Sequence, residues 1–441
     1  MKNYYLSILG LFLFNYSFSQ SLDVSRAEDY RLINPVKKDS LNSFHIGGEI
    51  RLMGQYFNNY NFLQKNAGYP DQNFTRLYHR IFLYSDYKIA EKFRIFAQIL
   101  SSDKWNKNTP TTEIERNDLS FHQLFGEAKI SKNSLLRIGK QELYFDSERI
   151  LGIRELPNNR RTTFSLNYHY FLKKNKELNL FYARPFKQNF KIFDDEILPD
   201  YFYGLNFHNL FPKKNPQYNL MLIYSYQDNI QLLNQLGGDR RLTMDSHFSG
   251  IKNKLTYSIE SAIQLGKIEN SKVFAGMFLF DLNYRLNERF SLHYELHGAT
   301  GDNKKNDSKI NTFNTLYSKP FFGQSLSFNI ANIISNGIGL NYQANSKHQI
   351  SANLLNLKIL NFEDAIYSPK MTVDKYLNKN EILGNISHSV ANAIFINYTY
   401  KINPNISSIL NITYSKPENY LIRLGYQKFQ SFYNYRITYK F

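Results

Sequence analysis

Amphipathic segments of roughly ten residues recur along almost the whole chain, and the junctions between them are alternately short and long. Within each segment apolar or aromatic side chains alternate with polar ones. A strand built this way shows one face suited to lipid and one suited to water. His45 to Phe57 sets the pattern, with Ile46, Ile50, Leu52 and Tyr56 on one face and His45, Glu49, Arg51 and Gln55 on the other. The same reading places strands near 75–88, 93–101, 119–130, 134–144, 162–172, 177–186, 201–210, 217–227, 241–250, 254–265, 272–285 and 289–298. Further ones follow at 335–344, 348–358, 386–402, 405–415 and 431–441, about 18 in all. The junctions Ala90–Lys92, Ser131–Ser134, Lys173–Lys176, Pro212–Asn215, Gly250–Asn253, Leu286–Glu288, Asn345–Ser346 and Asn403–Asn405 are short and polar. Those at 58–74, 103–118, 145–161, 187–200, 228–240, 299–334, 359–385 and 416–430 are longer. Short periplasmic turns alternating with long external loops mark an all-β, transmembrane antiparallel barrel of outer-membrane type. A soluble sandwich has no reason to keep that alternation.

Both chain ends fit the same compartment. Met1 to Ser19 read as a secretory signal: Lys2 is the basic start, Leu6 to Phe14 are mostly apolar, and Ser17-Phe-Ser19 precede a cut near Gln20. Residues 20–43 form a short charged arm, and 44–441 the barrel, as one domain. The last segment, Tyr433 to Phe441, puts Tyr433, Tyr435, Ile437, Tyr439 and Phe441 on one face and Asn434, Arg436, Thr438 and Lys440 on the other. A terminal aromatic on such a strand resembles the signal read by the outer-membrane barrel assembly machinery. With no cysteine in the chain there is no disulfide framework.

The 34 Tyr and 36 Phe against one Trp, at a mean hydropathy of −0.47, describe strand-forming aromatics in a chain too polar for a helical bundle in lipid. A formal charge of +17 attracts anionic partners. Lys and Arg are dispersed through strands and turns, where a nucleic-acid footprint would cluster them. The expected surroundings are outer-membrane lipid, with no nucleic-acid partner and no cofactor. A barrel of about 18 strands leaves an aqueous channel. His79, His122, His169, His293 and His297 lie in no recognisable nucleophile motif, and His293 and His297 lack helix-type metal-ligand spacing. The chain reads as a channel, not an enzyme, without a metal site.

The polar parity turned inward places Glu49, Arg51, Arg76, Arg80, Arg94, Gln98, Gln123, Glu127, Arg137, Gln141, Asp281, Arg285, Lys401, Arg436 and Lys440 on the lumen. Guanidinium forks bind carboxylates bidentately, so a ladder of them offers successive weak sites to a polyanion. The alternative is a neutral network, with the arginines paired to Glu49, Glu127, Asp281 and loop acids.

The most distinctive block runs Leu136-Arg-Ile-Gly-Lys-Gln-Glu-Leu-Tyr144, Phe145-Asp-Ser-Glu-Arg149, Ile150-Leu-Gly-Ile-Arg-Glu-Leu-Pro157 and Asn158-Asn-Arg-Arg-Thr-Thr-Phe164. It resembles the alginate export family, whose members carry a similar Arg-x-Gly-Arg-Gln-Glu-Leu strand, an Arg-Leu-x-Gly-x-Arg-Glu loop and an Arg-Arg-x-Phe strand start. Gly301-Asp302, Phe313-Asn-Thr-Leu-Tyr317 and Gly323 match the family's long external loop near the C-terminal third. The resemblance implies a monomeric barrel in the bacterial outer membrane with a constricted, arginine-rich pore for a polyuronate. Arg137, Gly139, Gln141, Arg149, Arg154, Glu155, Arg160 and Arg161 occupy matching motif positions. Together with Arg51, Arg80 and Arg94 from the parity argument, the arginines and Gln141 are the expected pore-lining or substrate-binding residues. The loop after Gln141 is expected to fold inward and narrow the pore, unless Glu148 and Glu155 neutralise Arg149 and Arg154. Two departures stand out: Phe145 replaces a glycine of many relatives, and Lys140 and Glu142 fall on the lipid-facing parity. The expected function is passage of an anionic polysaccharide or oligosaccharide; the alternative is a general anion or small-solute porin.

Overall fold

The structure, a computed structural model, describes residues 42–60, 73–90, 92–105, 110–173, 176–193, 195–209, 216–233, 235–304, 307–323, 325–326, 328–377 and 387–441. The expected signal at 1–19, nearly all of the arm at 20–43 and the turn Pro212–Asn215 lie outside them. In chain order the strands are β1 (Asn42–Asn58), β2 (Phe74–Ile89), β3 (Phe93–Lys104), β4 (Asn117–Ser131), β5 (Ser134–Gln141), β6 (Thr163–Lys173) and β7 (Lys176–Lys187). Next come β8 (Glu196–Ile197), β9 (Tyr201–His208), β10 (Gln217–Leu232), β11 (Gln235–Lys252), β12 (Leu255–Ile268), β13 (Ser271–Arg285), β14 (Phe290–Ala299) and β15 (Lys309–Ile310). The last are β16 (Ile333–Gln343), β17 (His348–Ile359), β18 (Ile366–Tyr367), β19 (Val373–Lys375), β20 (Ser389–Lys401), β21 (Ile406–Pro417) and β22 (Gln430–Lys440). Of these, β8, β15, β18 and β19 are short pairings within loops. The remaining 18 form one closed antiparallel wall, because β1 pairs with β2 on one side and with β22 on the other.

Closure is tight at the last residue. The Phe441 amide donates to the Gly48 carbonyl at 3.0 Å and the Gly48 amide to the Phe441 carbonyl at 2.8 Å. A side chain on Gly48 would meet the Phe82 carbonyl at 2.5 Å and the Phe441 ring at 2.7 Å, so the seam needs glycine there.

The inward and outward faces follow the sequence parity. Ile46, Leu52, Tyr56, Leu83, Phe274, Ile338, Tyr435 and Tyr439 are exposed outward, while Glu49, Arg51, Arg80, Gln98, Asn434 and Arg436 are buried inside. Aromatic rings gather towards both strand ends: Tyr56, Tyr433 and Tyr414 on the long-loop side, Phe290 stacked with Tyr342 on the short-turn side. Two such girdles fit the two lipid–water interfaces.

The expected loop at 228–240 is corrected. β10 continues to Leu232 and β11 starts at Gln235, with a register shift between Gln227 and Ile230. Asp228, Asn229, Gln231, Gln235, Asp239 and Arg240 break the apolar alternation there. A hairpin that rises beyond the lipid has water on its outer face, while Ile230, Leu232 and Asp239 on the inner face are covered by the loops, so its pairing continues without the lipid-imposed period-two signal.

Much of the lumen's long-loop end is filled. Phe313, Leu316, Phe321, Phe322, Leu326, Phe328 and Ile330, from the segment 300–332, are buried with the inward residues Ala275, Met277, Leu355 and Ala393 of the wall. Ala365, Ile366, Tyr367 and Leu377 from the next long connection join the same cluster. The barrel therefore holds an internal apolar core built from its own loops.

Candidate functional site

The site is built around the connection from β5 to β6, residues 142–162. On β5, Gly139 has a φ of +137°, and a Cβ there would lie 2.3 Å from the Leu124 carbonyl oxygen. Only glycine lets β4 come this close. Farther along, β4 carries a bulge in its pairing with β3: the register passes from Gln98↔Gln123 to Ile99↔Phe121 and skips His122, so His122 and Gln123 are both buried. Lys140 ends on the outer side and pairs with Asp195 at 2.5 Å, from the connection between β7 and β9. That pairing resolves one parity conflict. Glu142 lies just beyond the strand and turns inward to His122 at 2.8 Å, which resolves the other. Phe145 is buried against Phe181 at 4.8 Å, and the left-handed turns fall on Asp146, Glu148 and Arg154, with φ of 46°, 63° and 56°.

The connection then enters the lumen and is bolted to β1, β2 and β3. Glu155 is the hub: it takes Arg51 at 3.2 Å, Arg160 at 2.9 Å and Arg80. Arg80 also binds Glu49 at 2.6 Å, and Arg160 binds Glu142 at 2.8 Å. Arg51 donates further to the carbonyls of Glu155 and Pro157, each at 2.9 Å. The Asn158 amide donates to the His79 and Glu115 carbonyls, and the Asn159 amide to those of Glu113 and Arg116. Arg80 and Arg160 each lie 4.8 Å from the Phe82 ring, stacking cation on aromatic face. Burial raises the Glu155 carboxyl, but Arg80, Arg160 and Arg51 together overturn that and hold it well below the usual range. Below this cluster, Arg94 pairs with Asp86 at 2.7 Å and Arg137 with Glu127 at 2.7 Å, both around the Phe125 ring. Gln141 is buried and donates to the Ser165 carbonyl at 3.1 Å.

The remaining loop arginines meet the segment 300–332 instead. The Leu151–Tyr317 bridge joins the two connections, with the Gly152 amide donating to the Tyr317 carbonyl at 3.0 Å. Arg149 donates to the Pro320 carbonyl at 3.2 Å and lies over the Phe321 ring at 4.6 Å. Arg154 donates to the Ser318 and Pro369 carbonyls at 3.3 and 2.8 Å, and Arg161 lies over the Tyr317 ring at 4.6 Å. Among the described residues, no carboxylate reaches Arg154 or Arg161 within ion-pair distance. Burial pulls the Arg154 guanidinium down to about 10, and burial together with Arg154 lowers Arg161 well below the usual arginine value.

Nearly half a turn around the wall from β1 and β2, the inward face changes sign. Asp245, Glu260, Glu295, His247, His293 and His297 are buried there, with Asp281 beside them. The lumen thus has an arginine-rich side and an acid–histidine side.

The model of one family, alginate export, matches residues 43–423. The chain belongs to the alginate export family. No curated protein matches it. Among solved structures, this alginate export barrel is similar to Pseudomonas aeruginosa OpdO at TM-score 0.60 and 11% identity, covering 90% of this chain and 97% of that one. It is similar to P. aeruginosa OccK2 (OpdF) in complex with glucuronate at TM-score 0.59, 11% identity, 90% and 98%. The third is P. aeruginosa OpdK with vanillate, at 0.60, 10%, 90% and 98%. At such identities the likeness concerns the fold. Family and fold together make the protein an outer-membrane-type channel barrel, and they are those of channels rather than enzymes.

Sequence reasoning named Arg51, Arg80, Arg94, Arg137, Gln141, Arg149, Arg154, Arg160 and Arg161, and the barrel sorts them into two groups. Arg51, Arg80 and Arg160 share one carboxylate hub, with Arg94 and Arg137 in a second paired layer. Arg149, Arg154 and Arg161 sit at the junction of the two inward connections. The acid–histidine side was the miss. His293, Glu295 and His297 share one parity in a strand already recognised, and Asp281 had been placed inward; reading β13 and β14 as a pair would have found the cluster.

Proposed function

We propose that this barrel passes anionic sugar acids, alginate-like polyuronates, across the bacterial outer membrane as a monomer, with Arg154 and Arg161 as the principal anion contacts and Arg149 beside them. The observation that carries the reading is a pair of neighbouring, largely buried guanidinium groups held by carbonyl oxygens and a ring face, with no acid among the described residues to neutralise them. Such a pair raises the energy of the empty channel, and a passing carboxylate relieves it. Arg51, Arg80 and Arg160 then shape the conduit by holding the connection 142–162 in place, while Arg94, Arg137 and Gln141, bonded to Asp86, Glu127 and Ser165 of the wall, set the field around it. A polymer needs attraction that is repeated and weak, so a few charged contacts between neutralised layers suit transit better than an uninterrupted ladder.

A second reading is a general anion or small-solute porin. The complexes of OccK2 with glucuronate and OpdK with vanillate favour it, since both ligands are single-ring carboxylates.

Reconstitution in a planar bilayer under a salt gradient separates the two. Anion selectivity with current block by uronate oligomers, weakened about tenfold in the double variant Arg154→Gln/Arg161→Gln, supports the polyuronate conduit. Block by the monosaccharide uronate equal to that by the oligomers favours the general porin. An unselective pore indifferent to both overturns the anion reading.

A further inference from the structure

We propose that the inner face of β13 and β14 is a binding site for a divalent transition metal of the zinc class, with Asp281, His293 and Glu295 as ligands and His297 orienting the Asp281 carboxylate. The sequence His293-Tyr-Glu295-Leu-His297 places three potential ligands on alternate positions of one strand, so all three point into the lumen. Asp281 stands directly opposite Glu295 in the register of the neighbouring strand. Two carboxylates at paired positions repel one another, and a cation between them removes that cost.

The distances fit. One ligand atom each from Asp281, His293 and Glu295 lie within 4.8 Å of one another. His293 Nε2 is 3.2 Å from a Glu295 oxygen and 3.9 Å from an Asp281 oxygen. Tetrahedral zinc, with bonds of about 2.0–2.2 Å, holds its ligand atoms roughly 3.3–3.6 Å apart, so small rotations would complete the set. His297 Nε2 lies 3.1 Å from both Asp281 oxygens, the arrangement in which a hydrogen-bonded neighbour fixes a ligating carboxylate. One imidazole with two carboxylates favours zinc and its neighbours over magnesium or calcium, which take oxygen ligands.

Access is from the lumen. The Asp281 side chain is 34% exposed, whereas those of His293 and Glu295 are 1% and 4% exposed. Three protein ligands leave a fourth position for water. The bound ion would offset the two carboxylates and make this side of the lumen less attractive to cations. None of this depends on what solute the channel carries.

The test uses the full barrel, purified and stripped of metal in detergent, titrated with zinc chloride by calorimetry. Saturable binding of one equivalent is expected, abolished in His293→Ala and weakened about ten- to a hundredfold in His297→Ala. Should His293→Ala fail to assemble, as judged by the loss of the heat-modifiable band of a folded barrel, Asp281→Asn serves in its place. A second readout is the reversal potential in a potassium chloride gradient, which zinc should shift towards anion preference in the wild type and leave unchanged in either ligand variant. Absence of saturable binding, or binding retained in both ligand variants, overturns the site and leaves these residues as a histidine–carboxylate network of the wall.

Discussion

The two sides of the lumen obey the same strand parity yet have opposite characters. On β1 and β2 the inward side carries Arg51 and Arg80, fully buried beneath the connection 142–162 and paired with its Glu155 and with Glu49 of the wall. On β11 to β14 acids and histidines predominate, with Arg241 paired to Asp239, and they are bonded largely within the wall itself, as His247 is to Ser258 and His297 to Asp281. Parity decides only that a side chain faces inward. Whether it becomes a structural bolt or a group open to solutes depends on whether a loop descends onto it with the opposite charge.

Breaking the hub should have the largest effect. Glu155→Ala leaves Arg51, Arg80 and Arg160 short of their shared carboxylate, and losing one partner of a buried ion pair costs about 3–5 kcal/mol. The expected outcome is a lower unfolding midpoint, cleavage of the connection 142–162 by added protease and a larger single-channel conductance. Unchanged conductance would mean the connection does not narrow the path. Because the Glu155 carboxyl is held below its ordinary value, the stability it contributes is complete above about pH 4.5 and is lost as pH falls through the depressed folded value.

The opposite side should respond the other way. Asp245 and Glu260 are buried neighbours, each 3% exposed, so Asp245→Asn removes a repulsion and should be neutral or stabilise by about 1 kcal/mol or less. A loss comparable to that of Glu155→Ala, measured by the same unfolding experiment, would erase the contrast.

The smallest effect concerns the loop core that both sides support. Burial and the nearby Asp364 push the Asp302 carboxyl up to about 6. A raised folded value means that the native loops hold this proton more tightly than the unfolded chain does. Their stability is therefore greatest below the ordinary value of 3.8 and declines as pH rises to about 6. Asp302→Asn should flatten that slope, read as hydrogen exchange of the amides in 300–332 at pH 4.5 and pH 7. An unchanged slope assigns it to other acids, Asp364 first.

The barrel was legible because lipid imposes an unusually strict code: each expected strand overlaps an observed one, from His45–Phe57 in β1 to Tyr433–Phe441 at the seam. The code fell silent where lipid stops, which is why the hairpin of β10 and β11 read as a loop. Gly139 stands at a motif position, and the reason for glycine there is the close passage of β4. Lys140 and Glu142 looked misplaced because a period-two reading carries no information about Asp195, which comes from another connection, or His122, which a bulge in β4 turns inward.

Strand number, parity and the inward placement of the wall arginines were properties of the sequence alone, since each arises from neighbours along the chain or from the contrast between lipid and water. The pairing of those arginines was decided only in three dimensions. Glu155 meets Arg51 across 104 positions of chain, and Arg154 meets Pro369 across 215. An ion pair depends on distances of a few ångströms between groups that no local period relates, so the fold alone settles which charges cancel and which remain to meet a solute.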